Sequence, residues 1–174
     1  MDIGVRYGKG VYPGLSVDKL ADDALVVVVA PDLRARKKLT IPGDLRRHVL
    51  LHDDARESWA HWLAENGVQD VDPHRGTVLV DSSMLVEAAV RGQGVGLARW
   101  SLAMDDLASG RLVLPFPTIR PTPTGLSYYV ALPREALARP EVAAFRAWLL
   151  REAKGLVIGR AAKRPAASRR PSNR

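Results

Sequence analysis

The chain has 174 residues, a length that fits one ordinary domain or two lobes joined by a hinge and excludes a large multidomain protein. Hydrophobic residues make up 47% and charged residues 26%, so the composition excludes a wholly disordered or fibrous protein. The net charge of +7 suggests a nucleic-acid binder, but six positive charges and no acid fall in residues 160–174. Residues 1–159 therefore carry a net charge of only +1.

The sequence contains no cysteine, which excludes disulfides, thiolate metal sites and a cysteine nucleophile. The longest apolar run, residues 24–31, is far shorter than the roughly 20 residues that span a bilayer. The first ten residues mix charges with glycines and lack the apolar segment of a signal peptide. We therefore expect a soluble, cytoplasmic protein without membrane contact.

The first half of the chain predicts strands that alternate with helices. Short strands are expected at residues 2–6, 23–30 and 49–52, where apolar and β-branched residues lie between turn residues. Residues 23–30 are continuously apolar, which is typical of a strand covered on both faces. Prolines bracket a basic connection over residues 31–42, and its composition favours a solvated helix end and loop over a binding patch.

A tryptophan-rich helix follows the third strand. Trp59, Trp62 and Leu63 fall at positions i, i+3 and i+4, which predicts one apolar face on a helix that ends at Asn66-Gly67. This spacing favours packing of the tryptophans in the core over an aromatic ligand cage.

The second half continues the same alternation and ends in a helix that opens at Pro140. Strands are expected at residues 76–80, 95–98, 112–114 and 126–132, with an extended connector over 117–125. Helices are expected after residue 83, around residues 105–107 and from Pro140. The last of them is expected to carry an apolar stripe through Val142, Phe145, Trp148, Leu149 and Ile158 or its neighbours. About seven strands and five helices predict a layered α/β fold with mainly parallel strands.

The segment Asp81-Ser82-Ser83 is the strongest candidate site in the sequence. Aspartate and serine are preferred helix caps, and the amide groups at such a helix start attract an anionic group. Open α/β sheets place ligands at the carboxyl ends of their strands, so Ser82 and Ser83 are candidate ligand contacts. Arg6, at the end of the first strand, is a candidate cation for the same cleft, with a surface ion pair as an equal alternative.

Metal and catalytic sites are not expected. His52 with Asp53 and Asp54 makes no recognised metal-ligand spacing. A hydrolytic triad of Ser82 or Ser83 with His52 and Asp54 is conceivable, but the serines lack the glycines of a nucleophile elbow and capping accounts for them. The sequence therefore predicts no enzyme, no metal and no cofactor.

Four segments, taken in order, resemble one known family. They are residues 2–8 (Asp-Ile-Gly-Val-Arg-Tyr-Gly), residues 50–63 with Leu-Leu-His and Trp-x-x-Trp-Leu, residues 81–97, and residues 140–149. Together they resemble the effector-binding domain of LysR-type transcriptional regulators, and they look most similar to its glycine-cleavage-activator branch. The resemblance runs from residue 2 to about residue 153.

The resemblance implies an α/β, periplasmic-binding-protein-like type II fold with two lobes and a small-molecule cleft between them. It implies that residues 19–118 form a complete second lobe, and that residues 1–16 with 125–156 form part of the first. Residues 157–174 would be a basic disordered tail. Positions matching the neighbourhood of the cleft are Arg6, His52, Ser82 and Ser83.

The resemblance also sets the functional expectation. Family members begin with a winged helix-turn-helix, so we expect this chain to be N-terminally truncated, with an unpaired strand edge at Ile3 and Val5 that favours self-association. The expected function is sensing of a small anionic metabolite or amino acid by a regulator that acts as a homo-oligomer on DNA. A free-standing small-molecule-binding module is the alternative. The tail is a candidate for nonspecific nucleic-acid contact, although a solvated disordered end is favoured.

Overall fold

The computed structural model describes residues 2–53, 57–156 and 158. Its centre is a six-stranded mixed sheet in the order β1-β6-β2-β5-β3-β4. The strands are β1 (Gly4–Gly8), β2 (Leu15–Val28), β3 (Leu50–His52), β4 (Thr77–Val78), β5 (Val95–Arg99) and β6 (Thr122–Pro133). The helices are α1 (Pro31–Arg36), α2 (Glu57–Glu65), α3 (Ser82–Val90), α4 (Trp100–Ser109) and α5 (Pro140–Ala153). Short 3-10 helices cover Pro42–Arg47 and Arg134–Ala138.

Two long antiparallel strands, β2 and β6, form the middle of the sheet. Their register shifts twice, between Lys19 and Ala21 and between Asp22 and Ala24. The pairs β1–β6, β2–β6 and β2–β5 are antiparallel, and only β3–β4 and β3–β5 are parallel. The prediction of mainly parallel strands is therefore wrong. Helices lie between β3 and both of its parallel partners, as parallel pairing requires, but the helices that separate β2 from β5 and β6 in the chain do not make those pairs parallel.

Helices cover both faces of the apolar half of β2. Val27 packs with Trp59 and Trp62 of α2 on one face, whereas Val26 and Val28 pack with α3 and α4 on the other. The alternation follows from the pleat of the strand, which sends neighbouring side chains to opposite faces. The two-sided cover expected from the continuous apolar run is confirmed. The helix that ends before Gly67 is also confirmed, because α2 ends at Glu65 and Gly67 has a φ of +66°.

A third core lies where α5 packs on the first part of β2 and the end of β6. Val130, Leu132 and Val142 are buried there, with Leu149 partly buried. Phe145 and Trp148 are about half exposed and stack on one another, so the predicted apolar stripe is wrong for these two residues. The buried stripe of α5 runs instead through Val142, Leu149 and Ala153, which share the helix face turned toward the sheet.

Strand β1 forms one edge of the sheet and pairs only with β6 among the described strands. Within the described residues the outer side of β1 has no strand beside it, and Val5 on this strand is 55% exposed. Self-association through this edge stays a prediction. None of the helices within residues 2–53, 57–156 and 158 is long and apolar enough to cross a membrane.

One buried histidine gives folding a predicted dependence on pH. His48 is 2% exposed, and neither ring nitrogen has a hydrogen-bond partner among the described residues. Burial lowers the pKa of His48 below its ordinary value, although the nearby Lys37 backbone favours the charged form. The folded chain therefore holds this ring neutral under conditions in which the unfolded chain takes up a proton.

We expect the contribution of His48 to the free energy of unfolding to be constant above pH of about 6.5 and to decline as pH falls toward the lowered pKa of His48. The decline arises because only the unfolded chain gains a proton in that window. Urea unfolding between about pH 8 and about pH 5 measures it. His48→Gln should flatten this part of the curve, whereas His74→Gln, at an exposed histidine, should not. Equal curves for the two variants would contradict the assignment.

Candidate functional site

A cleft of about 330 Å³ lies beside the middle of the sheet, where β2 and β6 shift register. Residues of β1, β2, β5, β6 and α2 line it, with Asp53 from the end of β3. The lining combines apolar side chains with polar groups of both charges. Its members are Tyr7, Leu25, Asp53, Ser58, His61, Trp62, Arg99, Thr122, Pro123, Thr124 and Leu126.

Arg99 is the only arginine or lysine among the described residues that line this cleft. It is the last residue of β5, and its guanidinium carbon lies 4.3 Å from the centre of the Tyr7 ring. The nearest carboxylate oxygen, Oδ2 of Asp23, is 3.9 Å from Nη1, which is too far for a hydrogen bond. The side chain is a quarter exposed. Arg99 is therefore held over an aromatic face with donors able to reach a ligand in the cleft.

Asp23 lies behind Arg99 and is the buried acid of the site. Its side chain is completely buried, and Oδ2 has no hydrogen-bond partner among the described residues. The hydroxyl of Ser101 lies 3.5 Å from the other carboxylate oxygen. A buried carboxylate needs a nearby cation, because an isolated charge is costly away from water. The attraction to Asp23 consequently keeps Arg99 at the cleft wall.

Tyr7 and Thr124 join the strands around this charge pair. The Tyr7 hydroxyl donates to Oγ1 of Thr124 at 3.2 Å, and that oxygen lies 3.3 Å from the carbonyl oxygen of Asp23. The Tyr7 ring packs at 4.9 Å from the ring of Tyr128. Burial raises the pKa of the Tyr7 phenol, so this hydroxyl remains protonated and able to donate at neutral pH. The network links β1, β2, β5 and β6 at one point.

Asp53 and Ser82 form a second polar group of the site. The Ser82 hydroxyl donates to Oδ2 of Asp53 at 2.7 Å, which ties the start of α3 to the end of β3. Asp53 is 8% exposed and lines the cleft. Ser82 is therefore not part of the lining itself, but its hydroxyl is hydrogen-bonded to Asp53, which is. The cleft has a cation, Arg99, and an acid, Asp53, in the same lining.

Ser83 has a different neighbour from Ser82. Asp81 caps α3, and its Oδ1 accepts the amides of Ser83 and Met84 at 2.8 and 3.0 Å and the Ser83 hydroxyl at 2.6 Å. The Ser83 hydroxyl, followed by the Met84 amide, holds the pKa of Asp81 below its usual range. The carboxylate of Asp81 thus takes the place at this helix start that the sequence suggested for a ligand anion.

His52 and Arg6 lie outside the cleft lining. His52 is buried, and its Nε2 lies 3.1 Å from the carbonyl oxygen of Arg75. Arg6 lies 5.0 Å from the centre of the Tyr12 ring, and the alternation of β1 turns it to the face opposite Tyr7. Among the described residues, the cleft lining includes neither of these side chains nor Ser83.

Sequence reasoning missed Tyr7, Asp23, Arg99 and Thr124. The sequence did carry a signal for Tyr7. Tyr7 is adjacent to the candidate Arg6 on the same strand, and adjacent residues of a strand face opposite sides of the sheet, so one of the two had to face the cleft side. Asp23 and Arg99 carried no local signal, since they are 76 positions apart in the sequence and meet only through the pairing of β2 with β5.

Comparison with models of protein families identifies the family of this chain. Residues 1–154 match the model of the LysR substrate binding domain. The chain belongs to this family. The LysR substrate-binding domain is the effector-binding domain of LysR-type transcriptional regulators, so the family resemblance found in the sequence is confirmed.

A full-length regulator and two solved domains illustrate the relationship. The chain is 34% identical over 154 residues to the "Glycine cleavage system transcriptional activator" of Escherichia coli strain K12, covering 88% of this chain and 50% of that protein. The AmpR effector binding domain of Citrobacter freundii matches with a TM-score of 0.73 and 25% identity, over 88% of this chain and 75% of that one. The effector domain of AmpR from Pseudomonas aeruginosa matches with a TM-score of 0.71 and 30% identity, over 88% of this chain and 73% of that one.

The relatives establish the fold class of this chain and show how much of a regulator it covers. LysR effector-binding domains have the periplasmic-binding-protein-like type II fold, and the mixed α/β sheet of this chain matches them, which confirms the fold class. The chain spans about half the length of the curated relatives that it matches. The relatives are transcriptional regulators rather than enzymes.

Proposed function

We propose that this LysR substrate-binding domain binds a small anionic metabolite or amino acid in the cleft between Arg99 and Asp53, and so modulates transcription. The observation that carries the proposal is the placement of Arg99. A guanidinium held over Tyr7 and only loosely engaged by Asp23 offers its paired donors to a carboxylate. Asp53 in the same lining suits an ammonium group, so an amino acid matches both charges.

The proposed cleft lies where two lobes meet. Residues 19–118 would form one lobe around the cores that α2, α3 and α4 cover, and residues 1–16 with 125–156 would contribute to the other around α5. The register shifts of β2 fall at this boundary and supply a bend between the lobes. A ligand that touches both sides would favour one lobe arrangement over another, which is the population shift that a sensor needs.

The remaining parts of the proposal concern the longer regulator. Relatives of this chain include proteins named HTH-type transcriptional activators, which supports action on DNA in the cytoplasm. The proposed regulator assembles as a homo-oligomer on DNA, needs no cofactor and catalyses no reaction. Of the four residues expected near the effector, Ser82 has support from its hydrogen bond to Asp53. Arg6, His52 and Ser83 have no such contact among the described residues.

A ligand screen tests the proposal. We expect the melting temperature of the chain to rise with at least one small carboxylate or amino acid, by an amount that corresponds to about 2.7 kcal/mol at a ligand concentration hundredfold above Kd. Arg99→Gln should abolish the rise. Arg91→Gln is the matched control, because Arg91 is exposed and pairs with Glu87 on α3.

A second variant separates binding from folding. Arg99→Gln leaves Asp23 buried without its cation, so it lowers stability by itself. Arg99→Gln with Asp23→Asn removes both charges, and this double variant should fold yet still fail to respond. A response that survives in the double variant would exclude Arg99 as the ligand contact.

A further inference from the structure

The surface around α1 and the following 3-10 helix carries the densest positive charge among the described residues. Residues 31–48 contain six cations and two acids, an excess of four positive charges. Residues 1–159 have a net charge of +1 in total, so the rest of that range carries a net charge of −3. We define the basic surface by its five exposed cations, Arg36, Lys37, Lys38, Arg46 and Arg47.

Backbone hydrogen bonds and a shared core hold the two halves of the basic surface. The Asp44 carboxylate caps the 3-10 helix by accepting the amides of Thr40 and Ile41 at 3.0 and 3.2 Å. Leu33 and Leu39 from the first half of the surface and Leu45 from the second are buried in the same core cluster. Nη2 of Arg75 donates to the carbonyl oxygens of Arg46 and His48 at 2.6 and 2.9 Å. Arg75 thus adds a further cation beside Arg46, although the chain places it 29 residues later.

The charges of the basic surface have no evident role in holding the fold. None of its five cations forms an ion pair with a described residue. Elsewhere in the chain exposed arginines do pair, as Arg139 does with Asp2 and Glu141. Asp44 remains charged, because the amides of Thr40 and Ile41 hold its pKa below its usual range. Even so, positive charge dominates this surface.

We propose that the basic surface binds the phosphate backbone of double-stranded DNA. Unpaired, exposed lysines and arginines of one sign are what a polyanion requires. Residues 31–49 contain no Phe, Tyr or Trp, and the ring of His48 is buried. Single-stranded nucleic acid is held by stacking of bases on aromatic rings, and protein interfaces are depleted in lysine at their centres. The composition therefore fits the backbone of a duplex better than a single strand or a protein.

The test measures DNA binding by the full chain in a salt series. Fluorescence anisotropy with a duplex of about 30 base pairs gives the affinity and its salt slope. The surface variant carries Arg36→Gln, Lys37→Gln, Arg46→Gln and Arg47→Gln. The matched control carries four substitutions at exposed cations outside the basic surface, Lys9→Gln, Arg134→Gln, Arg151→Gln and Lys154→Gln. Both variants lower the net charge from +7 to +3 and leave residues 160–174 unchanged.

The surface variant should bind duplex at least about tenfold more weakly than the control at low salt, with a salt slope smaller by about 3. Circular dichroism should show both variants folded. Equal losses in the two variants would overturn the proposal, because general charge or the tail would then account for binding. If the surface variant lost more affinity for a single strand of equal length than for the duplex, the proposal would be overturned in favour of single-stranded nucleic acid. If the surface variant bound duplex as tightly as the control, and polyglutamate bound to the basic surface instead, the proposal would be overturned in favour of an acidic protein.

Discussion

Replacing Trp59 with alanine is expected to lower the free energy of unfolding by about 3–5 kcal/mol. Trp59 is 1% exposed, and its indole Nε1 donates to the carbonyl oxygen of Leu51 at 3.0 Å. Its ring meets Trp62 edge-on at 5.7 Å between centroids, and Trp62 stacks on Phe116 at 6.0 Å. The variant therefore leaves a large cavity under β3 and a buried carbonyl without its donor.

Urea unfolding monitored by circular dichroism measures this loss. Trp148→Ala is the matched control, because Trp148 is 45% exposed on α5 and should cost less than about 1 kcal/mol. Trp59→Phe retains an aromatic ring but not the indole donor, so its cost should fall between those of the other two variants. Equal losses for Trp59→Ala and Trp148→Ala would contradict the packing of α2 described above.

The elements that sequence could predict are those whose signals are local. The helix through Trp59 and Trp62 follows from apolar spacing, and the start of α3 follows from Asp81, whose carboxylate caps it. The first half of β2 was missed, because the four charged residues among positions 18–23 interrupt any apolar run. β6 also begins at Thr122, inside the segment predicted as a connector. Long-range pairing, which sequence periodicity does not report, makes both segments strands.

The candidate site depended still more on long-range pairing. Tyr7, Asp23, Arg99 and Thr124 lie on four strands, and the registers of those strands bring the residues together. The sequence could identify Ser82 because a helix cap has a local signature, and Ser82 does contact a residue of the cleft lining. It could not decide whether Arg6 or Tyr7 faces the cleft, because a two-residue period fixes alternation but not which face is which.

The second large effect is expected for Gly76→Ala, which should cost about 3 kcal/mol or more. Gly76 has a φ of +134°, a backbone conformation that residues with a side chain rarely adopt. A Cβ built at this position would lie 1.9 Å from the carbonyl oxygen of Leu50. That oxygen belongs to the backbone of β3, which is paired with β5 on one side and with β4 on the other, so it has little freedom to move.

Gly67→Ala separates backbone conformation from the close approach to Leu50. Gly67 also has a positive φ, +66°, but no heavy atom lies within 4 Å of a Cβ placed there, so this control should cost only about 1–2 kcal/mol. Gly76 lies next to Arg75, whose carbonyl oxygen contacts His52 and whose guanidinium contacts the Arg46 carbonyl. Displacing this segment should disturb both the end of β3 at the cleft and the basic surface. If Gly76→Ala proved no more costly than Gly67→Ala in urea unfolding, the contact with Leu50 would not restrain this loop.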